Sequence, residues 1–337
     1  MSQKEAELTY GASLFAPPDK YKSGYTKSKM DLAMVQVDPV SKFPLFEHLK
    51  HGKGASSVKI QTRLSPPYDD VIVYDVEYRL NKYNRRIVEN QDLKIKAHDF
   101  VLAFGDSFTF GEGVTTGQDY PSQLARKLSP EKVVYNFGKP GYSANDLLFR
   151  LQTMKESLDG VKQNEGVAIW YFIDAHLERF FCDFQCYQPH FDFIQEKPRY
   201  ELIDNKLVYK GTIAETMTLR QNLLYFLAKS EALKFIGIDQ YFDYSDIELR
   251  TFVAALKEIK LYLEQKKHLK KFYFFTGQTF RQKERIFQLL KDENIQVIDM
   301  SDVNIKKDHH MRIPYDRHPT SDFYWIVSEV LKKYLEP

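Results

Sequence analysis

From residue 98 onward, apolar runs of strand length alternate with segments of helical period, and that alternation restricts the fold more than any other feature of the chain. Runs occupy residues 100–104, 133–137, 167–173, 272–275 and 297–300. Each is long enough for a buried strand and too short for a helix. Between them, residues 118–128, 144–158, 246–265 and 282–294 repeat apolar positions at helical spacing, and residues 321–335 read as a closing helix. Strands that alternate with helices imply an α/β fold with a parallel sheet covered on both faces. Right-handed crossovers then bring every strand's C-terminal end to one edge, where open α/β sheets place their ligands. A chain of 337 residues accommodates such a domain plus an appendage, or two domains.

The chain before residue 98 has a different texture. Pro17-Pro18 and Pro66-Pro67 punctuate it, while residues 71–80 (VIVYDVEYRL) alternate and are β-branched, which reads as strand. We expect residues 1–97 to form an N-terminal β-rich extension to a domain spanning 98–337. Arg79, Arg85 and Arg86 read as a solvated face rather than an anion site. A second departure runs from about 177 to 244, after the third strand. It carries both cysteines and a hairpin at 200–209 turning at Asp204-Asn205. An insertion there is expected to overhang the catalytic edge as a substrate-shaping lid. The chain holds 22 Tyr and 25 Phe. Their concentration between Tyr171 and Tyr209 fits either a cleft wall and self-packed loop or plain core.

With 43% hydrophobic and 28% charged residues and a net charge of +2, composition gives no reason to invoke nucleic acid or an acidic polymer. Cys182 and Cys186, spaced C-x3-C, make neither a disulfide scaffold nor a zinc pattern. They are free thiols, or one local bridge in an oxidising compartment. The first residues, MSQKEAELTYGASLF, are polar and contain no signal-peptide h-region, and no stretch reaches the length of a membrane span. Cytoplasm is the default expectation, or the cell envelope if a leader or anchor was removed.

The chemistry begins at residues 101–114, VLAFGDSFTFGEGV. Ser107 follows a strand-length run and Gly105, so it sits at a strand tip before a helix. There a serine serves as a nucleophile beside free N–H groups, or as a helix N-cap. A nucleophilic serine needs a base, and the base needs a carboxylate to hold its tautomer. Asp316 and His318, two apart in Tyr315-Asp316-Arg317-His318-Pro319, can both project from one loop just ahead of the last helix. His309 and His310, beside Asp308, rank below His318. They lie further from that helix, and no proline follows to fix their loop.

The ordered blocks GDSFTFGEG, NFGKPGYSAND and DRHP resemble the GDSL, or SGNH, hydrolase family, in its bacterial branch with an Asp-x-His-Pro ending. The similarity covers about residues 98–335 and excludes residues 1–97 and the insertion. It implies a three-layer α/β/α flavodoxin-like fold and ester hydrolysis or acyl transfer. By position it implies Ser107 as nucleophile, His318 as base and Asp316 as its orienting carboxylate. The backbone amides of Ser107 and Gly141 are then the oxyanion donors. Elementary geometry points the same way at Gly141, which lacks a side chain and lets an amide approach closely; its other reading is a turn glycine after Pro140.

The chain departs from the family pattern after the third strand. An asparagine usually completes the oxyanion hole there, whereas this chain has Asp174, and an ionised carboxylate cannot donate. His176 or Arg179 could replace it, or two backbone donors suffice. Otherwise His176 and Arg179 form an ion-pair network with Asp174 and Glu178. Thr320, where asparagine often follows His-Pro, reads as a cap for the final helix. The expected reaction is a two-step serine esterase mechanism removing small acyl groups, such as acetyl, from a carbohydrate or similar ester. It uses no metal or organic cofactor. The alternatives are an O-acyltransferase at the same site and a catalytically weak glycan-binding member of the fold.

Overall fold

The computed structural model describes residues 56–63, 72–89, 97–154, 158–182, 186, 192–228, 243–302, 309–316 and 318–336. The expectations about Pro17-Pro18, Pro66-Pro67 and the first fifteen residues fall outside these.

Five parallel strands form the central sheet: β3 (Asp99–Phe104), β4 (Lys132–Asn136), β5 (Glu165–Phe172), β8 (His268–Thr276) and β9 (Gln296–Asp299). Their order is β4-β3-β5-β8-β9, every pair parallel. Renumbered within the sheet this is 2-1-3-4-5, the flavodoxin-like arrangement. Alternate residues of each strand enter different cores. Phe100, Leu102 and Phe104 pack with α3 (Ala144–Thr153), α6 (Asp246–Lys266) and α7 (Lys283–Asp292) on one face. Val101 and Ala103 pack with α2 (Tyr120–Leu128) and α8 (Ser321–Leu335) on the other. This strict alternation makes three layers, with both sheet faces dry.

The expected helix at 144–158 ends earlier, because Met154 is extended (φ −103°, ψ 111°) and its amide closes the last turn onto Arg150 O. Of the rings between Tyr171 and Tyr209 whose burial is described, Tyr171, Phe172, Phe180 and Tyr200 supply core, whereas Tyr209 is exposed.

Before the sheet, β1 (Ser56–Arg63) and β2 (Ile72–Leu80) pair antiparallel as a hairpin. Tyr74, Val76, Tyr78 and Leu80 bury one face of β2 against Phe110 and Ile313. Arg85 and Arg86 do not form a solvated face. Arg86 is fully buried, and Arg85 donates to Asp159 O at 2.6 Å. Each guanidinium donates to main-chain carbonyls, which offsets its desolvation.

Within the insertion, β6 (Pro198–Ile203) and β7 (Lys206–Thr212) form the expected hairpin, with Asp204 and Asn205 both left-handed (φ 49° and 59°) as a type I′ turn requires. The hairpin lies against α3 and α6. Tyr200 donates to Gln152 Oε1 at 2.9 Å, and the Asn145 amide donates to Pro198 O at 2.8 Å. Buried Lys197 pairs with buried Asp146 at the start of α3. The hairpin is therefore fixed along a helical flank. Cys182 and Cys186 are joined as a local disulfide, Cα atoms 5.1 Å apart. Among the described residues no helix is long and apolar enough to cross a membrane.

Candidate active site

The chain leaves β3 through Gly105 and Asp106 and enters α1 (Ser107–Phe110), a single turn. Ser107 is not the cap of this turn. Asp106 is, accepting the Phe108 amide at 3.0 Å, so the serine occupies the first helical position with its hydroxyl uncommitted to capping. Asn136, at the end of β4, donates to Thr109 O at 3.0 Å and ties α1 to the neighbouring strand.

The second segment is the loop before α8. Ile313 N donates to His318 O at 3.0 Å and Asp316 N to Ile313 O at 3.0 Å, closing a tight reversal with Tyr315 left-handed (φ 62°). Asp316 Oδ1 accepts both the His318 backbone amide at 2.7 Å and Nδ1 at 2.5 Å. With Nδ1 carrying its proton, Nε2 is an acceptor, and it stands 2.8 Å from Ser107 Oγ. The Phe108 ring, tilted at 51° to the imidazole with centroids 5.6 Å apart, braces it from the side. Ser107, Asp316 and His318 are thus brought together across 211 positions of sequence. Of the rival histidines, His310 is exposed, its carbonyl accepting from Thr320 Oγ1 at 2.7 Å. The side chain of His309 and the whole of Asp308 and Arg317 lie outside the described residues. Thr320 holds the N-cap position of α8 with extended backbone, yet its hydroxyl serves that carbonyl instead of the helix.

Burial alone would lower the pKa of His318, but the Asp316 carboxylate, and Glu112 after it, outweigh burial and push it up to about 9. Glu112 was not singled out by sequence reasoning. It is 6% exposed, and its Oε2 lies 3.6 Å from His318 Nε2. Only its place within the glycine-rich segment after the serine could have suggested it.

Gly141 falls at the third position of a turn closed by Tyr142 N donating to Lys139 O at 3.1 Å, with Pro140 at the second. Its φ of 77° is what a type II turn demands of glycine.

After β5, Asp174 opens α4 (Ala175–Phe181), its carbonyl accepting Leu177 N at 3.0 Å. The carboxylate that His176 and Arg179 face is neither Asp174 nor Glu178 but Asp106. Arg179 Nη1 donates to Asp106 Oδ2 at 2.6 Å and to Tyr142 O at 3.3 Å. His176 Nδ1 accepts the Ile173 amide at 3.3 Å, which leaves Nε2 as the protonated nitrogen, 3.6 Å from Asp106 Oδ2. The reason is burial. Asp106 is wholly enclosed one residue before the serine and requires a cation, and helix α4 starts where its first turns can reach it. Burial favours protonation of Asp106, yet the His176 ring and the Arg179 charge hold its carboxyl well below the usual range. Burial keeps the His176 imidazole's own pKa down. Both side chains are thus directed at Asp106.

The fold and this constellation define an α/β chain with a Ser-His-Asp array at the C-terminal ends of its parallel strands. No protein-family model and no curated protein matches the sequence. Among solved structures, the chain is similar to a mutant of Axe2, an acetyl-xylooligosaccharide esterase from Geobacillus Stearmophilus, at 16% identity and TM-score 0.38, over 73% of this chain and 97% of that one. It is similar to a member of the lipolytic G-D-S-L family from Veillonella parvula at 12% identity and TM-score 0.38, over 69% and 96%. A third is the acetyl xylan esterase Est2A from Butyrivibrio proteoclasticus, at 11% identity and TM-score 0.37, over 71% and 64%.

Proposed function

We propose that the protein is a serine esterase in which Ser107 is the nucleophile, His318 the general base and acid, and Asp316 the carboxylate that orients it. The observation that carries this reading is the unbroken line from Asp316 Oδ1 through the His318 ring to Ser107 Oγ, at 2.5 and 2.8 Å. Neutral His318 takes the serine proton as Oγ bonds to the acyl carbon. The imidazolium returns that proton to the departing alcohol as the ester C–O bond breaks. Water then repeats the cycle on the acyl-enzyme and releases the acid. The backbone amides of Ser107 and Gly141 are the proposed oxyanion donors. With His176 and Arg179 directed at Asp106 and a carboxylate at 174, these two amides carry the developing charge.

Small acyl groups, acetyl first, carried on a carbohydrate or similar ester are the proposed substrates. Water and an acceptor hydroxyl compete for the acyl-enzyme, so product analysis with and without a sugar acceptor separates hydrolysis from O-acyl transfer. The Cys182–Cys186 disulfide favours an oxidising compartment over the cytoplasmic default.

The test is covalent. A fluorophosphonate probe is expected to label the wild type on Ser107 and to leave Ser107→Ala unlabelled, with p-nitrophenyl acetate turnover lost in parallel. Full turnover by Ser107→Ala overturns the assignment.

A further inference from the structure

The N-terminal hairpin has no part in the reaction as written, yet it is built onto both loops that carry it. Its buried face closes on Phe110, from the serine's helix, and on Ile313, from the histidine's loop. Tyr78 Oη accepts the Gly113 amide at 2.7 Å. Thr116 N donates to Glu77 O at 3.0 Å, and Arg79 N donates to Thr116 Oγ1 at 2.8 Å, so β2 borders the segment after α1 along its length. Arg86, which follows the hairpin, donates to the carbonyls of Phe110, Gly111 and Val114 and faces buried Asp119 at 3.4 Å.

This scaffolding fixes the one side chain between Gly111 and Gly113. Glu112 is almost wholly buried, and its two oxygens look in different directions. Oε1 accepts from Tyr74 Oη at 3.5 Å, and Oε2 stands 3.6 Å from His318 Nε2, the nitrogen that also faces Ser107 Oγ. A carboxylate near this nitrogen is not needed to orient the ring, which Asp316 already holds through Nδ1. It acts on the ring's charge.

We propose that Glu112, held by the N-terminal hairpin through Tyr74, is a positioning residue that stabilises the imidazolium of His318 from its reacting side and so sets the pH at which His318 becomes a base. The proposal rests on the serine-esterase reading for its consequence in catalysis, though not for its electrostatics. Among the described residues, the carboxylates that act on the imidazole are Asp316 on its own loop, Glu112 from the segment after α1, and Asp106 at the head of α1. All three raise its affinity for the proton. Arg179 is engaged with Asp106, and Arg86 with main-chain carbonyls and Asp119. A negative charge under 4 Å from Nε2 in a mostly dry site favours the charged ring, and the rise of His318 to about 9 agrees. In the free enzyme this delays the base to alkaline pH. Once the serine proton has moved, the same charge favours the imidazolium that results.

The experiment reads the ring directly. The His318 imidazole is titrated by NMR in the wild type and in Glu112→Gln, with the resonance assigned by its loss in His318→Gln. The acidic limb of kcat/KM against pH is recorded alongside. The wild-type midpoint is expected near 9, and Glu112→Gln is expected to lower it by about one unit. The activity of Glu112→Gln relative to wild type then rises about tenfold between pH 10 and pH 7. An unmoved His318 midpoint in a folded Glu112→Gln protein overturns the proposal. Should that variant fail to fold, Glu112→Asp, which keeps the charge but withdraws it by one methylene, is expected to shift the midpoint in the same direction by less. No shift there overturns the proposal equally. Fluorophosphonate labelling is scored separately. A chain that does not label but whose His318 midpoint falls in Glu112→Gln sinks the esterase reading and leaves the electrostatic one standing.

Discussion

Arg179 reaches across 73 positions of sequence to donate to Asp106 at 2.6 Å, and so neutralises a wholly buried carboxylate that immediately precedes the candidate nucleophile. Asp106 in turn caps the turn that begins at Ser107. Removing the cation leaves an uncompensated buried charge. Arg179→Met is therefore expected to cost about 3–5 kcal/mol of stability, read from urea unfolding. The double variant Asp106→Asn, Arg179→Met is expected to recover part of that loss, because no charge is then stranded. A neutral outcome for Arg179→Met would refute the anchoring role.

The same loop architecture predicts how stability depends on pH. His318 has a folded pKa raised to about 9, above its unfolded value of about 6.5. Its contribution is fully present below pH 6.5 and is lost as pH rises through 9. The difference in unfolding free energy between wild type and His318→Gln is therefore expected to shrink steadily from pH 6.5 to 9.5. A flat difference across that window contradicts the raised pKa.

Asp316 holds the imidazole in the tautomer that presents an acceptor to Ser107. Asp316→Asn should preserve the fold and reverse that tautomer. A fall in kcat on the order of 10^4 is expected. A mild loss would mean that the ring is oriented by something other than this carboxylate.

Gly138 follows β4 where the chain grazes the serine's helix. A Cβ there would sit 2.2 Å from Phe110 N and 2.6 Å from Thr109 C, both main-chain atoms that cannot swing aside. Gly138→Ala is expected to cost about 1–3 kcal/mol and to lower kcat by displacing α1, as measured by thermal unfolding and p-nitrophenyl acetate turnover.

The five sheet strands and the helices around them are legible in the sequence because each strand is buried on both faces, so its apolar run is nearly continuous. The hairpin at 198–212 is legible because Asp204 and Asn205 tolerate the left-handed backbone that its turn requires. Ser107, Asp316 and His318 could be read from spacing and motif, since two of them share one short loop and the third ends a strand. Buried polar contacts resisted such reading. Nothing in the neighbourhood of Arg86 or Arg179 distinguishes a solvated cation from one enclosed with a distant carboxylate. Glu112 looks like any surface glutamate until the hairpin is folded over it. Pairing across a fold depends on which loops meet, and local pattern carries no information about that.

Arg86 grips the segment after the serine by three carbonyl oxygens, and this has an engineering consequence. A loop held by its main chain in this way is intolerant of any change in its length. One inserted residue between Phe110 and Val114 would take those oxygens out of step with a single rigid guanidinium. Redesign of this region is therefore confined to its present length.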